Sequence, residues 1–344
     1  MKIALDAMGG DNAPAAIVAG ALEAVETHGV EVLLFGVEAA MRAELPGGQP
    51  PAGVKLVDCT EIIGMHDEPG TSVRTRKDAS VVRAAEAVRD GIADAMVGAG
   101  NTGATMASAL LRFGRIKGVA RPAIGVPIPV PFASPHLLVD GGATVDCKPE
   151  WLLQFAQLGR AYAKVRLGID SPTVGLLSNG EEAGKGDELR KLAFSLLEGT
   201  PGFVGNVEGR DLMTGKPDVI VTDGFTGNVA IKTIEGALKA AAGLVFTILD
   251  SNDEAKAAAK VVAPLLLQGV ADYLDPDTVG GAVLLGVDGV CVISHGSSSA
   301  RAISSSIALA AECVRGEIVE SMKRAIAEDP GAATNKVMED QHAS

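Results

Sequence analysis

Six times along the chain an apolar, β-branched run empties into a short glycine-rich polar loop that then reads as the start of a helix. These junctions fall at residues 3–11, 96–103, 137–142, 174–180, 219–228 and 290–298. Strand, loop and helix repeated in that order build a mostly parallel sheet with helices on both faces, a three-layer α/β/α architecture. Ligands of such sheets bind beyond the carboxyl ends of the strands, where the six loops are expected to gather. Helix N-termini at that edge offer free N–H groups and partial positive charge, so the expected ligand is an anion, phosphate above all.

Composition narrows the reading. A chain of 344 residues, 47% hydrophobic but only 3% aromatic, must fill its core with Ala, Val, Leu and Ile. We expect a single α/β/α unit over residues 1–328, possible as two closely joined lobes, and a disordered tail over 329–344. A net charge of −13 argues against a nucleic-acid binder, which would show a basic face. Cys59, Cys147, Cys291 and Cys313 have no Cys-x-x-Cys spacing and read as buried reduced thiols rather than a metal site. The strand-like start at Lys2 leaves no room for an N-terminal signal, which points to the cytoplasm. Residues 122–139 are uncharged apart from His136 but carry Pro122, Pro127, Pro129, Pro131 and Pro135, which excludes a spanning helix and suggests extended segments.

Hydrophobic spacing places strands at 2–5, 32–35 and 54–57, and helices near 14–27, 79–89, 150–166, 187–197, 229–249 and 300–327. Residues 65–78 read as a polar loop. Trp151, Phe155, Leu158 and Tyr162 form an aromatic stripe at helical spacing, which reads as core packing. Two near-motifs are informative because they fail. Gly98-Ala-Gly100-Asn-Thr-Gly103 satisfies G-x-G-x-x-G, yet no acidic residue follows at the ribose-binding distance. Gly180-Glu-Glu-Ala-Gly-Lys-Gly186 has one spacer too few for a P-loop, and Gly186 replaces its magnesium-binding hydroxyl. A nicotinamide-dependent dehydrogenase on the same fold is therefore disfavoured.

On these loops the chain resembles the bacterial phosphate acyltransferases, the acyl carrier protein–phosphate transacylases of phospholipid synthesis. The matching stretches are Leu5-Asp-Ala-Met-Gly-Gly-Asp11, Ala99-Gly-Asn-Thr-Gly-Ala104, Val145-Asp-Cys-Lys-Pro-Glu150, Gly205-Asn-Val-Glu-Gly-Arg210, Thr222-Asp-Gly-Phe-Thr-Gly-Asn-Val229 and His295-Gly-Ser-Ser298. The resemblance implies a homodimer with a fold related to isocitrate and isopropylmalate dehydrogenases and to phosphotransacetylase. It also implies conversion of acyl–acyl carrier protein and inorganic phosphate into acyl phosphate and free carrier, with no cofactor. Similar family members attach peripherally to the membrane through a segment corresponding to residues 256–274. Here that segment carries Val261, Val262, Leu265, Leu266 and Leu267, with no Lys or Arg beyond Lys260. The departures are Ser178-Asn179, Ala183, Val283 and Thr278-Val279. A regulator that kept the loops and lost the chemistry is the competing reading.

Phosphate attack on a thioester needs positioning and stabilisation of a tetrahedral oxyanion more than it needs a base. We expect Gly10, Asn101, Thr102, Gly103, Thr226, Gly227, Ser297 and Ser298 to bind phosphate and substrate. Lys185 and Asn228 would polarise oxygens, Asp223 would orient a donor, and His295 (or His66) would protonate the leaving thiolate. The carrier is normally acidic, so docking needs a basic patch. The candidates are Arg74, Arg76 and Lys77 in the polar loop, or Arg112, Arg115, Lys117 and Arg121 after the 102–112 helix.

Overall fold

The computed structural model describes residues 1–130, 134–274 and 280–328, with the side chains of 265–274 excepted. The chain begins β1 (Lys2–Asp6), α1 (Ala15–His28), β2 (Glu31–Gly36), α2 (Glu38–Ala43), β3 (Val54–Asp58), α3 (Pro69–Thr75), α4 (Ser80–Arg89), β4 (Ala95–Gly98) and α5 (Thr102–Arg112). The middle contributes β5 (Ala123–Ile128), β6 (His136–Val139), α6 (Pro149–Arg166), β7 (Val174–Leu177), α7 (Glu188–Leu197), β8 (Phe203–Val207), β9 (Val219–Val221), α8 (Gly224–Leu249) and α9 (Asp253–Leu274). It closes with β10 (Ala282–Leu285), β11 (Val290–Ile293), α10 (Ala300–Arg315) and α11 (Ile318–Glu328).

The described strands form one sheet in the order β3-β2-β1-β4-β11-β10-β5-β6-β9-β7-β8. The five strands from β3 to β11 are mutually parallel. So are the four from β6 to β8. Between them every pairing is antiparallel: β11 with β10, β10 with β5, and β5 with β6. Three reversals leave the two parallel blocks pointing in opposite directions.

This corrects the expectation that all six loops gather at one edge. The loops after β1, β4 and β11 open on one edge of the sheet, and those after β6, β7 and β9 open on the other. The physical reason lies between Ile128 and His136, which face each other in the β5–β6 register. So short a connection has no room for the crossover helix a parallel neighbour requires, and the chain must return antiparallel.

Alternation along β1 divides the core. Ile3 and Leu5 pack with α1 and α10, while Ala4 faces Val81, Val82, Ala84 and Ala85 of α4. A smaller cluster joins Leu138, Leu177, Val207 and Ile220 beneath Ile231 and Ile234 of α8. At Gly20 of α1 a Cβ would meet the Ala300 carbonyl oxygen and Ile303 at 2.5–2.6 Å, so that glycine is what lets α1 and α10 lie so close.

Local differences from expectation have local causes. A short helix, α3, interrupts the 65–78 loop: Pro69 is pre-set for a first turn, and the Glu68 carboxylate accepts from the N–H groups of Gly70 and Thr71. The helix expected over 300–327 is two, broken at Gly316 and at Glu317, which has φ 52°. Strands β8 and β10 were not separately expected. The tail over 329–344 lies outside the described residues. Among the described residues no helix is long and apolar enough to cross a membrane.

Helix α8 departs from ordinary burial. Of its 26 residues only Gly224 and Gly227 are buried. Phe225 is 62% exposed and Leu244 63%, and Val229, Val245, Phe246 and Ile248 are exposed with them.

Candidate active site

Two sets of loops carry the chemistry-bearing residues. On the first edge Asp6 ends β1, buried, with an oxygen 2.6 Å from where a Gly9 Cβ would stand. Burial pushes its carboxyl up from the usual range, against the Ser80 hydroxyl and the Met8 N–H. Gly10, at φ 106°, lies against the Gly296 carbonyl, which accepts from Asp11 N–H at 2.7 Å. The Asn12 amide donates to the carbonyls of Ser297 and Ser298. The β1 and β11 loops are thereby tied together.

Several residues expected to bind phosphate there are committed to the fold. Asn101 caps α5 through Oδ1, and its amide donates toward the carbonyls of Gly64, Met65 and Asp67. It fastens the 64–68 loop and has no donor left for an anion. Gly103 is the residue whose Cβ would strike Pro69 at 2.7 Å. Ser298 is buried in a hydroxyl network with Ser294 and Ser306. Thr102, Ser297 and His295 are exposed. Nδ1 of His295 accepts from Ser297 N–H, with the Ser297 hydroxyl 2.8 Å away.

The second edge is built on two buried carboxylates. Asp140, at the end of β6, accepts N–H bonds from Ile124, Gly142 and Ala143 through Oδ1 and from Thr144 through Oδ2, at 2.6–3.0 Å. Burial pushes its pKa up against those four donors. Asp223, at the end of β9, caps α8 by accepting from the Thr226 N–H and hydroxyl. It also pairs with Arg190 of α7, whose guanidinium reaches Asp187, Thr222 and Thr226 as well. Both partners are nearly covered, with side chains 10% and 7% exposed. Burial alone would raise the Asp223 pKa; the two Thr226 bonds and Arg190 outweigh it and hold it below the usual carboxylate range.

Asp223 is therefore an anion that orients Arg190 and the first turn of α8. Thr226 spends its hydroxyl on that pair and has none to offer phosphate. Gly227 is a glycine for steric reasons, since a Cβ there would overlap the Asp140 carbonyl oxygen. Lys185 and Asn228 remain. Both are exposed, and neither has an ion pair among the described residues. Lys185 lies in the loop after β7. Asn228 lies in the first turns of α8, beside Gly142. The two sit beyond neighbouring strands of one parallel block, a cation and an amide next to helix N–H groups. That arrangement can hold phosphate and stabilise a developing oxyanion.

Sequence reasoning missed Arg190, Asp140 and Asp6. Arg190 had a signal in Asp187 three residues before it, at a helix start. Of the docking candidates, Arg112 is withdrawn: it is ion-paired to Glu86 at 2.9 Å with its side chain 11% exposed. Arg76 is likewise paired, to Asp67. Arg74 and Lys77 are exposed beside the first edge, and Arg115 is exposed in the turn before β5.

The Asp140 network carries a stability prediction. Asp140→Ala orphans four N–H groups, each worth about 1–3 kcal/mol when buried and unpaired. A loss of about 3–5 kcal/mol in urea unfolding is expected, with Asp140→Asn losing less because it keeps a carbonyl acceptor. A loss below about 1 kcal/mol for the alanine variant would show that the carboxylate does not organise this loop.

The mixed α/β/α sheet, with its polar loops beyond the strand ends, is a fold shared with solved phosphotransacylases. The structure is similar to a phosphotransacetylase from Streptococcus pyogenes (TM-score 0.57, 16% identity, 95% of this chain and 94% of that one). It is similarly close to a branched-chain phosphotransacylase from Enterococcus faecalis (TM-score 0.57, 15% identity, 91% and 99%). At these identities the likeness speaks for the fold. The family itself comes from sequence: residues 1–321 match the model of a family described as fatty acid synthesis protein. Phosphate acyltransferases from Pelotomaculum thermopropionicum and Desulfitobacterium hafniense are 46% and 45% identical to the chain. The first alignment covers 98% of this chain and 99% of the relative, the second 94% and 97%. The chain belongs to this family and is a phosphate acyltransferase.

Proposed function

We propose that the chain transfers a long-chain acyl group from acyl carrier protein to inorganic phosphate, and that the reaction centre lies on the second edge, at Lys185 and Asn228. The observation that carries this reading is an uncommitted cation after β7 and an uncommitted amide in the first turns of α8, beyond neighbouring strands, with the Arg190–Asp223 pair bracing the α8 start. Lys185 supplies a mobile point charge for the phosphate. Asn228 and the first-turn N–H groups face the oxygen that gains charge.

In the reaction an oxygen of hydrogen phosphate attacks the thioester carbonyl and a C–O bond forms. The tetrahedral oxyanion collapses, the C–S bond breaks, and the proton of hydrogen phosphate ends on the departing thiol. The equation balances without a further acid, and a thiol of pKa about 8.5 is a good leaving group. His295, on the other edge, is not required by this scheme. Residues 1–328 would act as one catalytic unit.

The test is free-thiol release from a long-chain acyl carrier protein with and without inorganic phosphate. Phosphate-dependent release with acyl phosphate as product supports the reading. Carrier binding without release would favour the regulator.

The exposed apolar length of α8 supports a homodimer through this helix, since so much apolar surface on one element marks an interface. Light scattering should give a mass near twice that of the chain, and Leu244→Glu with Ile248→Glu should lower it. If the mass stays single and vesicles of anionic lipid retain the protein instead, peripheral membrane attachment is the use of that surface.

A further inference from the structure

The turn between α5 and β5 is a fixed platform. Gln154 of α6 holds it twice, donating to the Gly118 carbonyl and accepting from Ala120 N–H, both at 2.8 Å. Arg115 folds back onto the Ala120 carbonyl, and Ile116 N–H donates to Gly286 at 3.0 Å. On this platform Arg121 lies over the ring of Trp151, 5.1 Å from its centroid, and Lys148 lies over the same ring at 5.7 Å. The two cations on one indole are exposed, as is Lys117, four residues before Arg121 in the same turn. None of the three has an ion pair among the described residues, although Asp146 and Glu150 flank Lys148 in sequence.

Like charges gathered at one spot on a chain of net charge −13 repel one another, and the ring face offsets only part of that. The patch also has a telling position. Lys148 follows Cys147, whose thiol is pushed up to about 12 by burial and by the nearby Asp140 and Asp223 carboxylates. Thr144, in the same loop, accepts from Gly224 N–H at the start of α8 at 2.8 Å. The basic patch therefore adjoins the second edge, where Lys185 and Asn228 stand. Val145, 57% exposed in the same loop, adds an apolar spot.

We propose that Arg121 and Lys148 over Trp151, with Lys117 of the same turn, form the surface on which the acidic carrier of the acyl thioester docks. The inference rests on the reading of the second edge as the reaction centre and names the partner's footprint beside it. Charge complementarity selects an acidic protein: the net charge of the chain repels such a partner, and this patch offers it local attraction.

The test compares two substrates bearing the same palmitoyl group, one on acyl carrier protein and one on pantetheine. In the Lys117→Glu/Arg121→Glu/Lys148→Glu variant KM for the carrier-borne substrate should rise on the order of tenfold or more, with its salt dependence flattened. Turnover of palmitoyl-pantetheine should stay within about twofold of the parent. Should the triple reversal fold poorly, the Lys117→Gln/Arg121→Gln pair is expected to show the same split at smaller size. An unchanged KM for the carrier-borne substrate, or an equal loss on both substrates, would overturn the patch. Absence of phosphate-dependent release in the parent would instead sink the underlying reaction.

Discussion

Lys185→Ala should lower phosphate-dependent thiol release 10²–10³-fold, roughly the cost of removing one true oxyanion donor. Lys185 has no structural duty that would confound the measurement, being exposed and outside every described ion pair. Its folding midpoint should therefore match the parent's. Lys185→Arg should restore part of the activity, because the site asks for positive charge on a flexible stem more than for a planar fork. Asn228→Ala should fall in the same range. Asn228→Asp should fall further, since it sets a negative charge where phosphate binds. His295→Gln serves as the comparison and should stay within a few-fold. If it loses 10²-fold while the Lys185 and Asn228 variants keep their rates, the chemistry belongs to the first edge.

The second large effect is on stability. Arg190→Leu leaves the Asp223 carboxylate buried without its countercharge, and breaking one side of such a pair costs about 3–5 kcal/mol. Chemical unfolding should register that loss. The Arg190→Leu/Asp223→Asn double variant should recover part of it, because the stranded charge is gone. The sign of the pH dependence follows from the Asp223 carboxyl lying below its usual range. Such a group stabilises the folded state above its unfolded pKa of about 3.9, and the contribution is lost as pH falls through the lower folded value. The gap between parent and Arg190→Leu should thus be full near neutrality and narrow below about pH 4. A gap that stays constant into acid would mean the pair contributes through packing rather than charge.

Much of this was legible in the sequence because each strand-to-loop junction is local. Apolar runs such as Ile3-Ala-Leu and Val219-Ile-Val read as buried strands, and the glycine-rich stretches after them as passages into a loop or a helix start. The α/β/α class followed. The reversal of the second block did not, because it depends on how Ala123–Ile128 and His136–Val139 pair, and the prolines between them signal extension without direction. The same limit hid the site's division. Asn101, Thr226 and Ser298 have the right chemistry for anion binding, and only the packed structure reveals that their polar atoms already have partners. Arg190 was concealed for the opposite reason. Inside an amphipathic helix an arginine reads as surface, and nothing local says that two neighbouring strands end over it. Trp151 read as core and does pack against it, but only in part, with two cations over its ring, while Phe155 and Tyr162 of the same stripe are fully buried.

The place of β11 in the sheet bears on how the polypeptide is made. Ala95 of β4 stands in register opposite Val290 of β11, a residue that leaves the ribosome long after it. Until then the β4 border of the first block stands open, with its backbone groups unpaired. The β6-β9-β7-β8 block has no such wait, since all its strands are translated in one stretch. The middle of the chain can therefore finish first, and its beginning only when the end arrives. Loss of a few strands from the carboxyl terminus would then injure the amino-terminal half more than the centre.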